Sequence, residues 1–384
     1  MVPSGWKQTT LDKVLTIGGG KDYKHLEKGS IPVYGSGGYM LSVSDYLYDG
    51  ESVCIGRKGT IDKPMFLKGK FWTVDTLFYT HSFKDSVPYF IYQFFQTVPW
   101  RSLSEASGVP SLSKSVINKV KINLPPLLEQ RKIVIILATW DKAISTTDRL
   151  IDNSKQQKKA LMQQLLTGKK RLLDDSGKMF ESEWEEVLLG NIVDRPICYG
   201  VLKPGDHKER GIPLLRIQDL KSSSLDIENM FKITDDLHQE FKRTILRTGD
   251  LVISIVGTLG KVLKIPKQLN GANITRAFAV IGVSTQDTDF IKHYLSSDYI
   301  QEWLLNTATG NAQKVLNVAA IKKLKIKVPS LKEQQKIASV LTSSNKEIEL
   351  LEQQLADLKQ EKKALMQQLL TGKRRVKLDD KEVA

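Results

Sequence analysis

Cysteine and histidine are sparse, and their spacing offers little to a metal site. The 384 residues include two cysteines, Cys54 and Cys198, which are far apart and each lie within an apolar run. This usage argues against a disulfide framework and against a thiolate metal site. The histidines are scattered without metal-ligand spacing, at His25, His81, His207, His238 and His293. We expect no metal to be bound by this chain.

Long hydrophobic runs are also missing. No apolar run approaches the length of a membrane span, and residues 1–10 lack the apolar core of a signal peptide. We expect a cytoplasmic protein with no membrane partner.

Motifs for phosphate, cofactor and base chemistry are absent as well. Residues 257–262 fail the Walker A pattern in spacing and in the final residue. Residues 123–127 lack the aromatic ring of an amino-methyltransferase loop, and residues 18–20 form a glycine turn without the context of a dinucleotide site. The carboxylate–lysine pairings at residues 62–63 and 219–221 are ordinary, although pattern alone does not exclude a nuclease cluster. We expect this chain to bind no cofactor and to have no catalysis of its own.

What the chain has in excess is positive charge. Lys and Arg total 57 against 43 Asp and Glu, a formal net charge of +14. This excess favours a polyanionic partner, because clustered cations release counterions from a phosphate backbone. No basic tail carries the excess, so contact with a nucleic acid needs a face built from several segments.

The strongest pattern is an internal repeat. Residues 158–169 and residues 362–373 both read KKALMQQLLTGK, an offset of 362 − 158 = 204. The same offset aligns LEQRKI at residues 128–133 with KEQQKI at residues 332–337. No insertion or deletion separates the preceding proline from the Thr-Gly pair in either copy, so the two segments have equal length.

Both repeated segments are predicted to be long helices. Each begins after a proline, Pro125 or Pro329, and stops at Thr-Gly, which are common start and stop signals. About 40 residues give a helix about 60 Å long, which needs a partner to bury its apolar stripe. Apolar residues recur in alternating steps of three and four, as in a coiled-coil seam. The apolar seam positions are Leu137, Ile144, Ile151, Leu161, Leu165, Leu341, Ile348, Leu351, Leu355, Leu358, Leu365 and Leu369.

We expect the two helices to pair with each other as a coiled coil; an antiparallel pairing would place the modules at opposite ends. Lys158 and Lys362 then fall at equivalent polar positions, where they lower stability and set register. The alternative is a generic helical hairpin or a dimer stalk.

Two globular segments alternate with the helices and repeat more loosely. Trp6 corresponds to Trp184, and each segment contains a strand followed by a glycine-rich turn. The pattern predicts an α+β fold of two mixed α/β modules, each followed by a long helix, in a tandem repeat with approximate two-fold symmetry. The predicted domains are residues 1–124 (first module), 125–182 (first helix and linker), 183–328 (second module) and 329–384 (second helix and tail). Conserved helices and divergent modules indicate fixed partners for the helices and a variable target for the modules.

Two pairs of loops are the candidate nucleic-acid contacts. The first pair is the glycine-rich turns at residues 56–60 and 257–261, where a backbone can approach phosphate closely and cations can bond to phosphate or guanine. The second pair, at residues 107–113, with Lys114 directly after them, and at residues 309–314, precedes the terminal strand of each module. The candidates are Arg57, Lys58, Gly59, Gly108, Ser111, Ser113, Lys114, Lys261, Gly310, Asn311, Gln313 and Lys314. Tight turns with solvated cations and plain linker loops are the alternatives.

A third candidate occurs in the second module only. Arg216 and Gln218 are predicted to lie on one face of a strand, where they could contact DNA. Strand alternation alone explains this pattern equally well.

As a whole, the chain resembles the specificity subunits of type I restriction-modification systems. The resemblance covers essentially all 384 residues and rests on the module–helix–module–helix order, the paired ALMQQLLTGK helix ends and the Pro-x-x-x-Glu-Gln-x-Lys-Ile helix starts. It implies that each module is a target-recognition domain reading one half of a split site on double-stranded DNA, in the major groove. The helices would pack antiparallel and hold the half-sites at a fixed spacing.

The resemblance also implies partners. Two modification subunits would dock on the helices and bring S-adenosylmethionine, and restriction subunits would bring ATP- and Mg-dependent translocation and cleavage. Base-reading positions do not carry over, since these domains vary most where they touch DNA.

Three other functions are alternatives. A self-contained methyltransferase or nuclease would act on DNA without partners, and a structural coiled-coil scaffold would show no sequence-dependent DNA binding. A recognition subunit of a related bipartite-site system, whose fused partner both methylates and cuts, would share all of these sequence features.

Overall fold

The computed structural model describes residues 2–106, 108–221, 225–310 and 314–377. The chain divides into two compact units. The first unit comprises Met1–Arg149 and Glu352–Ala384, and the second comprises Leu150–Leu351. Each unit therefore contains one module together with part of both long helices.

The first module is built around a six-stranded sheet. The strands of the module, with β1 and β8 forming a separate pair outside this sheet, are β1 (Lys7–Thr10), β2 (Thr16–Gly19), β3 (Lys28–Gly35), β4 (Gly38–Val43), β5 (Tyr48–Gly56), β6 (Met65–Thr73), β7 (Leu77–His81) and β8 (Lys121–Leu124). Its helices are α1 (Leu11–Val14), α2 (Pro88–Phe95) and α3 (Lys114–Asn118), with a 3-10 turn at Trp100–Leu103. The sheet order is β2, β7, β5, β6, β3, β4, and the strands pair antiparallel except for β3 with β6.

The strand β5 lies in the middle of this sheet because both of its faces are apolar. Val53, Cys54 and Ile55 are all fully buried, and successive side chains point to opposite faces. Val53 and Ile55 belong to the cluster around Phe90 of α2, whereas Cys54 packs in a separate cluster with Phe71. Burial raises the pKa of the Cys54 thiol to about 12, which makes it an inert core side chain.

The first long helix, α4 (Leu127–Leu165), follows directly after β8. β8 pairs antiparallel with β1, so the beginning of the module lies beside its last strand. In β8 the alternation of Lys121, Ile122, Asn123 and Leu124 buries only the two apolar side chains, as expected for a strand with one face on the core.

The second module has smaller sheets. Its strands are β9 (Glu185–Leu188), β10 (Cys198–Tyr199), β11 (Ile212–Leu215), β12 (Lys232–Ile233), β13 (Leu251–Ser254), β14 (Val262–Lys264), β15 (Asn273–Ile274), β16 (Phe278–Ile281) and β17 (Lys325–Val328). Its helices are α5 (Asp235–Glu240), α6 (Thr288–Leu295), α7 (Asp298–Thr307) and α8 (Val318–Lys322). Its 3-10 turns are Leu189–Asn191, Ile217–Lys221, Lys242–Thr244 and Lys267–Leu269. The sheets run β10, β16, β13, β14 and β12, β11, β15, and β17 pairs with β9 as β8 does with β1.

The second long helix, α9 (Leu331–Leu369), has 39 residues, the same length as α4. Each helix stops at a glycine with positive φ, Gly168 (+70°) and Gly372 (+68°). The Gly168 N–H donates to the Leu165 carbonyl (3.4 Å), and the corresponding bond runs from Gly372 to Leu369 (3.3 Å). These glycine caps confirm the predicted helix ends, since the left-handed conformation favours glycine.

The predicted antiparallel pairing of the helices is confirmed within each unit. In the first unit, Ile133 and Leu137 of α4 share a buried cluster with Leu369 of α9. In the second unit, Leu165 of α4 shares a cluster with Leu341 of α9. The beginning of one helix thus lies against the end of the other in both units.

The seam positions follow this pairing. Six of them are buried, namely Leu137, Ile151, Leu165, Leu341, Ile348 and Leu369. The other six are half-buried, namely Ile144, Leu161, Leu351, Leu355, Leu358 and Leu365. Among the described helices, none combines the length and hydropathy needed to cross a membrane.

Candidate nucleic-acid interface

In the first unit, the two candidate loops lie side by side. The turn after β5 and the loop before α3 share backbone hydrogen bonds. The Gly59 N–H donates to the Pro110 carbonyl, and the Leu112 N–H donates to the Arg57 carbonyl, both at 2.9 Å. Gly59 has a φ of +86°, which favours glycine. Two segments far apart in sequence therefore form one surface.

Three cations project from this surface. Arg57, Lys58 and Lys114 are exposed, and no carboxylate of the described residues lies within ion-pair distance of them. The Arg57 guanidinium and the Lys114 ammonium each lie 5.9 Å from the centre of the Phe78 ring, whose π face attracts cations. Gly108, at the far side of the loop, is exposed and carries no side chain. Cations without internal counterions are available to phosphate or guanine.

The two serines of the loop have structural roles. Ser111 forms an antiparallel bridge with Lys58, and its N–H donates to Ser104 Oγ (3.1 Å). Ser113 is the N-cap of α3, where its Oγ accepts from the Val116 N–H (3.2 Å). The loop precedes the terminal strand β8, as predicted, with the short helix α3 between them.

A third segment belongs to this surface and was missed in the sequence. The hairpin between β3 and β4 turns at residues 35–38, and a Cβ added to Gly59 would lie 3.3 Å from Ser36 Oγ. Two large side chains follow the turn and are exposed, Tyr39 (62%) and Met40 (49%). A signal existed, because a Gly-Ser-Gly-Gly run between apolar runs is typical of a hairpin turn.

In the second unit, side chains hold the turn after β13. The Lys261 N–H donates to Ser254 Oγ (2.8 Å), and Gln301 Nε2 donates to the Gly260 carbonyl (2.9 Å). Gly260 has a φ of +77°, and a Cβ there would collide with the Gln301 side chain. Lys261 is exposed and has no ion pair among the described residues.

The second loop of this unit lies beside that turn, as in the first unit. The Leu316 N–H donates to the Ile255 carbonyl (2.9 Å), immediately before the turn. Gly310 and Lys314, at the two described ends of the loop, are exposed. The remaining candidates of this loop, Asn311 and Gln313, lie outside the described residues.

The structure places Arg216 and Gln218 differently from the prediction. β11 ends before Arg216, and Ile217–Lys221 is a 3-10 turn, so the prediction of a shared strand face is wrong. Asp219 causes the turn, because its carboxylate accepts from the Arg216 N–H (2.8 Å). The Arg216 guanidinium bonds to Asp219 (3.2 Å) and lies 5.0 Å from the centre of the Phe231 ring. Arg216 is thus engaged within its own unit, and Gln218 is exposed.

A buried glutamate ties the helices to the module in each unit. Glu129 accepts from Arg375 at both oxygens (2.6 and 2.8 Å) and from Trp6 Nε1 (3.0 Å). Glu333 accepts from Arg171 at both oxygens, each at 2.6 Å. Both arginines directly follow a long helix, so each glutamate connects the beginning of one helix to the end of the other. The sequence did not predict this pairing of glutamate and arginine.

The glutamine next to each glutamate fixes the module. The Gln130 side chain accepts from the Val87 N–H (2.8 Å) and donates to the Asp85 carbonyl (2.9 Å), just before α2. The Gln334 side chain accepts from the Asp287 N–H (2.9 Å), just before α6. The repeated Glu-Gln pair is therefore the point at which each long helix attaches to its module.

Farther along the helices, a buried ion pair occurs in the first unit. Lys362 of α9 is buried, and its Nζ lies 2.6 Å from Asp141 of α4. The Asp141 carboxylate also accepts from the Tyr89 hydroxyl (3.0 Å) and from Gln93 Nε2 (2.7 Å). The lysine charge is thus fully compensated.

The second unit has different residues at the equivalent places. Asp141 corresponds to Asn345 by the offset of 204, and Lys362 corresponds to Lys158. His293 occupies the sixth position of α6, as Gln93 does in α2. Histidine and asparagine thus replace the partners that surround the lysine in the first unit.

His293 makes the stability of the second unit depend on pH. It is buried, and its Nε2 lies 3.1 Å from Thr342 Oγ1. Burial first, and then nearby Lys292 and Lys158, lower its pKa to about 4, against the opposing effect of Asp289. Because the folded-state pKa lies below the ordinary value of 6.5, this contribution is complete above about pH 6.5 and is lost as the pH falls toward 4.

We expect the free energy of unfolding of the second unit to fall by about 2 kcal/mol between pH 7.5 and pH 5 through this group alone. Urea unfolding at the two pH values measures this. The control is His293→Gln, which installs the residue found in the first unit and should remove most of the difference. An equal pH dependence in both proteins would show that His293 is not responsible.

Within the described ranges, no group of three or more His, Cys, Asp or Glu side chains is arranged to hold a metal ion.

The comparisons with known proteins agree with this arrangement. The family model of the type I restriction modification DNA specificity domain matches residues 3–154 and 181–360. The chain belongs to this family. The two matched segments of the specificity-domain chain correspond to its two modules with the greater part of their helices, which confirms the tandem organisation.

Curated relatives of this specificity-domain chain are specificity subunits. It is 30% identical over 248 residues to the specificity subunit of the type I restriction enzyme EcoBI from Escherichia coli, covering 60% of this chain and 52% of that protein. It is 28% identical over 349 residues to that of MjaVIII from Methanocaldococcus jannaschii, covering 86% and 79%. The chain thus spans about half the length of the first relative. Both names favour a type I system over the related system with a fused partner.

Solved structures share the fold. The S subunit of a type I restriction-modification system from M. genitalium matches with a TM-score of 0.64 at 15% identity, over 95% of this chain and 96% of that one. A chain from a structural study of assembly and conformational transition of a type I system matches with a TM-score of 0.57 at 16% identity, over 96% and 98%. At these identities the likeness establishes the fold.

Proposed function

We propose that this chain is the DNA-recognition subunit of a type I restriction-modification complex, in which each module reads one half of a bipartite site on double-stranded DNA. The convergence of two loops on one basic surface in each unit supports this most strongly. Arg57, Lys58 and Lys114 project there in the first unit, and Lys261 and Lys314 in the second. Glycine backbones at these turns permit close approach to DNA, and the cations suit phosphate and guanine.

The side chains differ in what they can recognise. Arg57 has a planar fork that matches the O6 and N7 atoms of guanine, whereas Lys58 and Lys114 are point charges suited to phosphate. Tyr39 and Met40 present apolar surface of the kind that contacts a thymine methyl group. Arg57 is therefore the proposed base-reading side chain of the first module.

The paired helices are proposed to set the spacer between half-sites and to dock two modification subunits, which restriction subunits join. The equal length of the two helices and the identical KKALMQQLLTGK stretch at their ends, beside divergent modules, support fixed partners. S-adenosylmethionine, ATP and Mg are assigned to those partners, so the chain itself is proposed to be non-catalytic and to bind none of them. Its proposed location is the cytoplasm.

Co-expression of the chain with its modification subunit, followed by genome-wide mapping of methylated adenines, tests the proposal. One asymmetric bipartite sequence is the expected result, and exchanging residues 1–124 for another module should change one half only. Methylation without sequence preference would overturn DNA recognition by the modules. Methyl transfer by the purified chain alone would show that it is an enzyme.

Lengthening both helices should lengthen the spacer. Seven residues inserted at facing positions of α4 and α9 preserve the three–four pattern and add about 10 Å, or about three base pairs. We expect methylome mapping to show the same two half-sites, farther apart. The control inserts the same residues at the exposed turn around Gly177, outside both helices, and should leave the spacer unchanged. An unchanged spacer after the helix insertions would refute the ruler function.

A further inference from the structure

A cavity of about 770 Å³ opens in the second unit between the helices and the module. Its walls come from the last turns of α4, the junction of α6 and α7, the edge strand β17 and the middle of α9. Part of the wall is apolar, formed by Met162, Leu166, Tyr294 and Ile348. Such a space accepts a small organic group or a side chain.

The rest of the wall is strongly basic. Five lysines line the cavity, namely Lys155, Lys158, Lys159, Lys325 and Lys327, against three acidic residues, Glu186, Asp298 and Glu349. At least three of these lysines already have partners, one of them Lys155. Lys159 lies 2.9 Å from Asp298, and Lys325 lies 2.7 Å from Glu186. Among the described residues, the cavity lysines without an ion pair are Lys158 and Lys327.

Lys158 is a half-buried cation without a counterion. Within the described part of the chain, its Nζ has neither an ion pair nor a hydrogen bond. Burial and then Lys292 lower its pKa, and Glu349 opposes them from beyond ion-pair distance. A desolvated charge of this kind is costly unless a partner compensates it.

The internal repeat shows what that partner is. In the first unit the equivalent lysine, Lys362, is paired with Asp141 at 2.6 Å. In the second unit Asn345 takes the place of the aspartate and lines the cavity beside Lys158. The same lysine has thus lost its carboxylate and faces an open space instead.

We propose that this cavity binds a carboxylate from outside the chain, with Lys158 as its counterion and the apolar wall against the adjoining carbon chain. A single negative charge balances Lys158, whereas a phosphate would bring further charge toward Glu186, Asp298 and Glu349. The carboxylate belongs either to a free organic acid or to an acidic side chain of a modification subunit. In the second case the inference rests on the proposed function.

Two variants of the full-length chain test the site from opposite directions. Lys158→Met removes the cation, and Asn345→Asp restores the pairing of the first unit, which occupies Lys158 from within. The matched control, Lys169→Met, removes an exposed lysine that does not line the cavity. Unfolding temperatures of both variants at or above that of the wild type show that they fold.

Each protein is titrated with glutarate by calorimetry and, separately, with the purified modification subunit at fixed salt. In one of the two titrations we expect Lys158→Met and Asn345→Asp to bind about tenfold more weakly than the wild type, and Lys169→Met to bind equally. An effect on glutarate identifies a free acid, and an effect on the modification subunit alone identifies a side chain. Indistinguishable binding of wild type and variants in both titrations overturns the proposal, as does an equal loss in Lys169→Met. If the modification subunit fails to bind the wild type, the proposed function fails and the glutarate titration alone decides the cavity.

Discussion

Replacing Glu333 with alanine should destabilise the second unit by about 3 kcal/mol. The Glu333 side chain is fully buried, and both of its oxygens accept hydrogen bonds from Arg171, whose side chain is only 18% exposed. Alanine leaves that guanidinium desolvated without its anion, which costs more than the intact pair contributes. For a unit of about 200 residues the unfolding temperature should fall by about 6–12 °C in calorimetry.

The first unit supplies the control. In Glu129→Ala the uncovered partners are Arg375, which is 44% exposed and stays hydrated, and the Trp6 N–H, so we expect a loss of about 1–2 kcal/mol. Glu333→Gln retains the shape and one acceptor and should recover part of the loss. Equal losses from both alanine variants would contradict the role assigned to burial.

The helices were predictable because their signals are local. A proline, a three–four apolar pattern and a glycine stop are all contained in the segment itself, and α4 begins two residues after Pro125. The pairing of the two helices with each other followed from the repeat, since two apolar stripes of equal length can bury each other, whereas the antiparallel direction was implied by the family resemblance.

The contact between the loops could not be predicted from the sequence, because it depends on pairing between segments that are far apart along the chain. The turn containing Lys58 and the loop containing Ser111 were each recognised from composition, but their contact arises from a bridge that local patterns do not encode. The prediction for Arg216 failed for the opposite reason, because a local contact was overlooked. A neighbouring Asp219 closes a turn after β11, and this local hydrogen bond competes with continuation of the strand.

The two lysines of the repeat show most clearly where sequence identity stops being informative. Lys158 and Lys362 lie in identical stretches of twelve residues, yet one faces a cavity and the other is buried in an ion pair. The difference arises from Asn345 and Asp141, on the opposing helix and far away in sequence. Identical segments thus have different electrostatic environments, because the residue facing the lysine on the opposing helix differs.

Replacing Arg57 with alanine should weaken DNA binding of the assembled complex about 10- to 100-fold and relax one position of one half-site. Arg57 has no internal counterion, so its guanidinium is free to bond to guanine. Lys58→Ala and Lys114→Ala remove phosphate contacts instead. Each substitution should weaken binding to all DNA sequences alike. It should also reduce the slope of the logarithm of the binding constant against the logarithm of the salt concentration by about 1.

Arg216→Ala distinguishes an interfacial arginine from an internal one. It removes the same charge, but Arg216 already bonds to Asp219 and stacks on Phe231, so it should affect stability more than DNA affinity. Fluorescence anisotropy with duplexes altered one base pair at a time separates these effects. A uniform loss across sequences would assign Arg57 to phosphate, and an unchanged affinity would remove the turn after β5 from the interface. Because the loss of a base contact is confined to the half-site that its module reads, a changed preference in only one half would also show that the two modules read DNA independently.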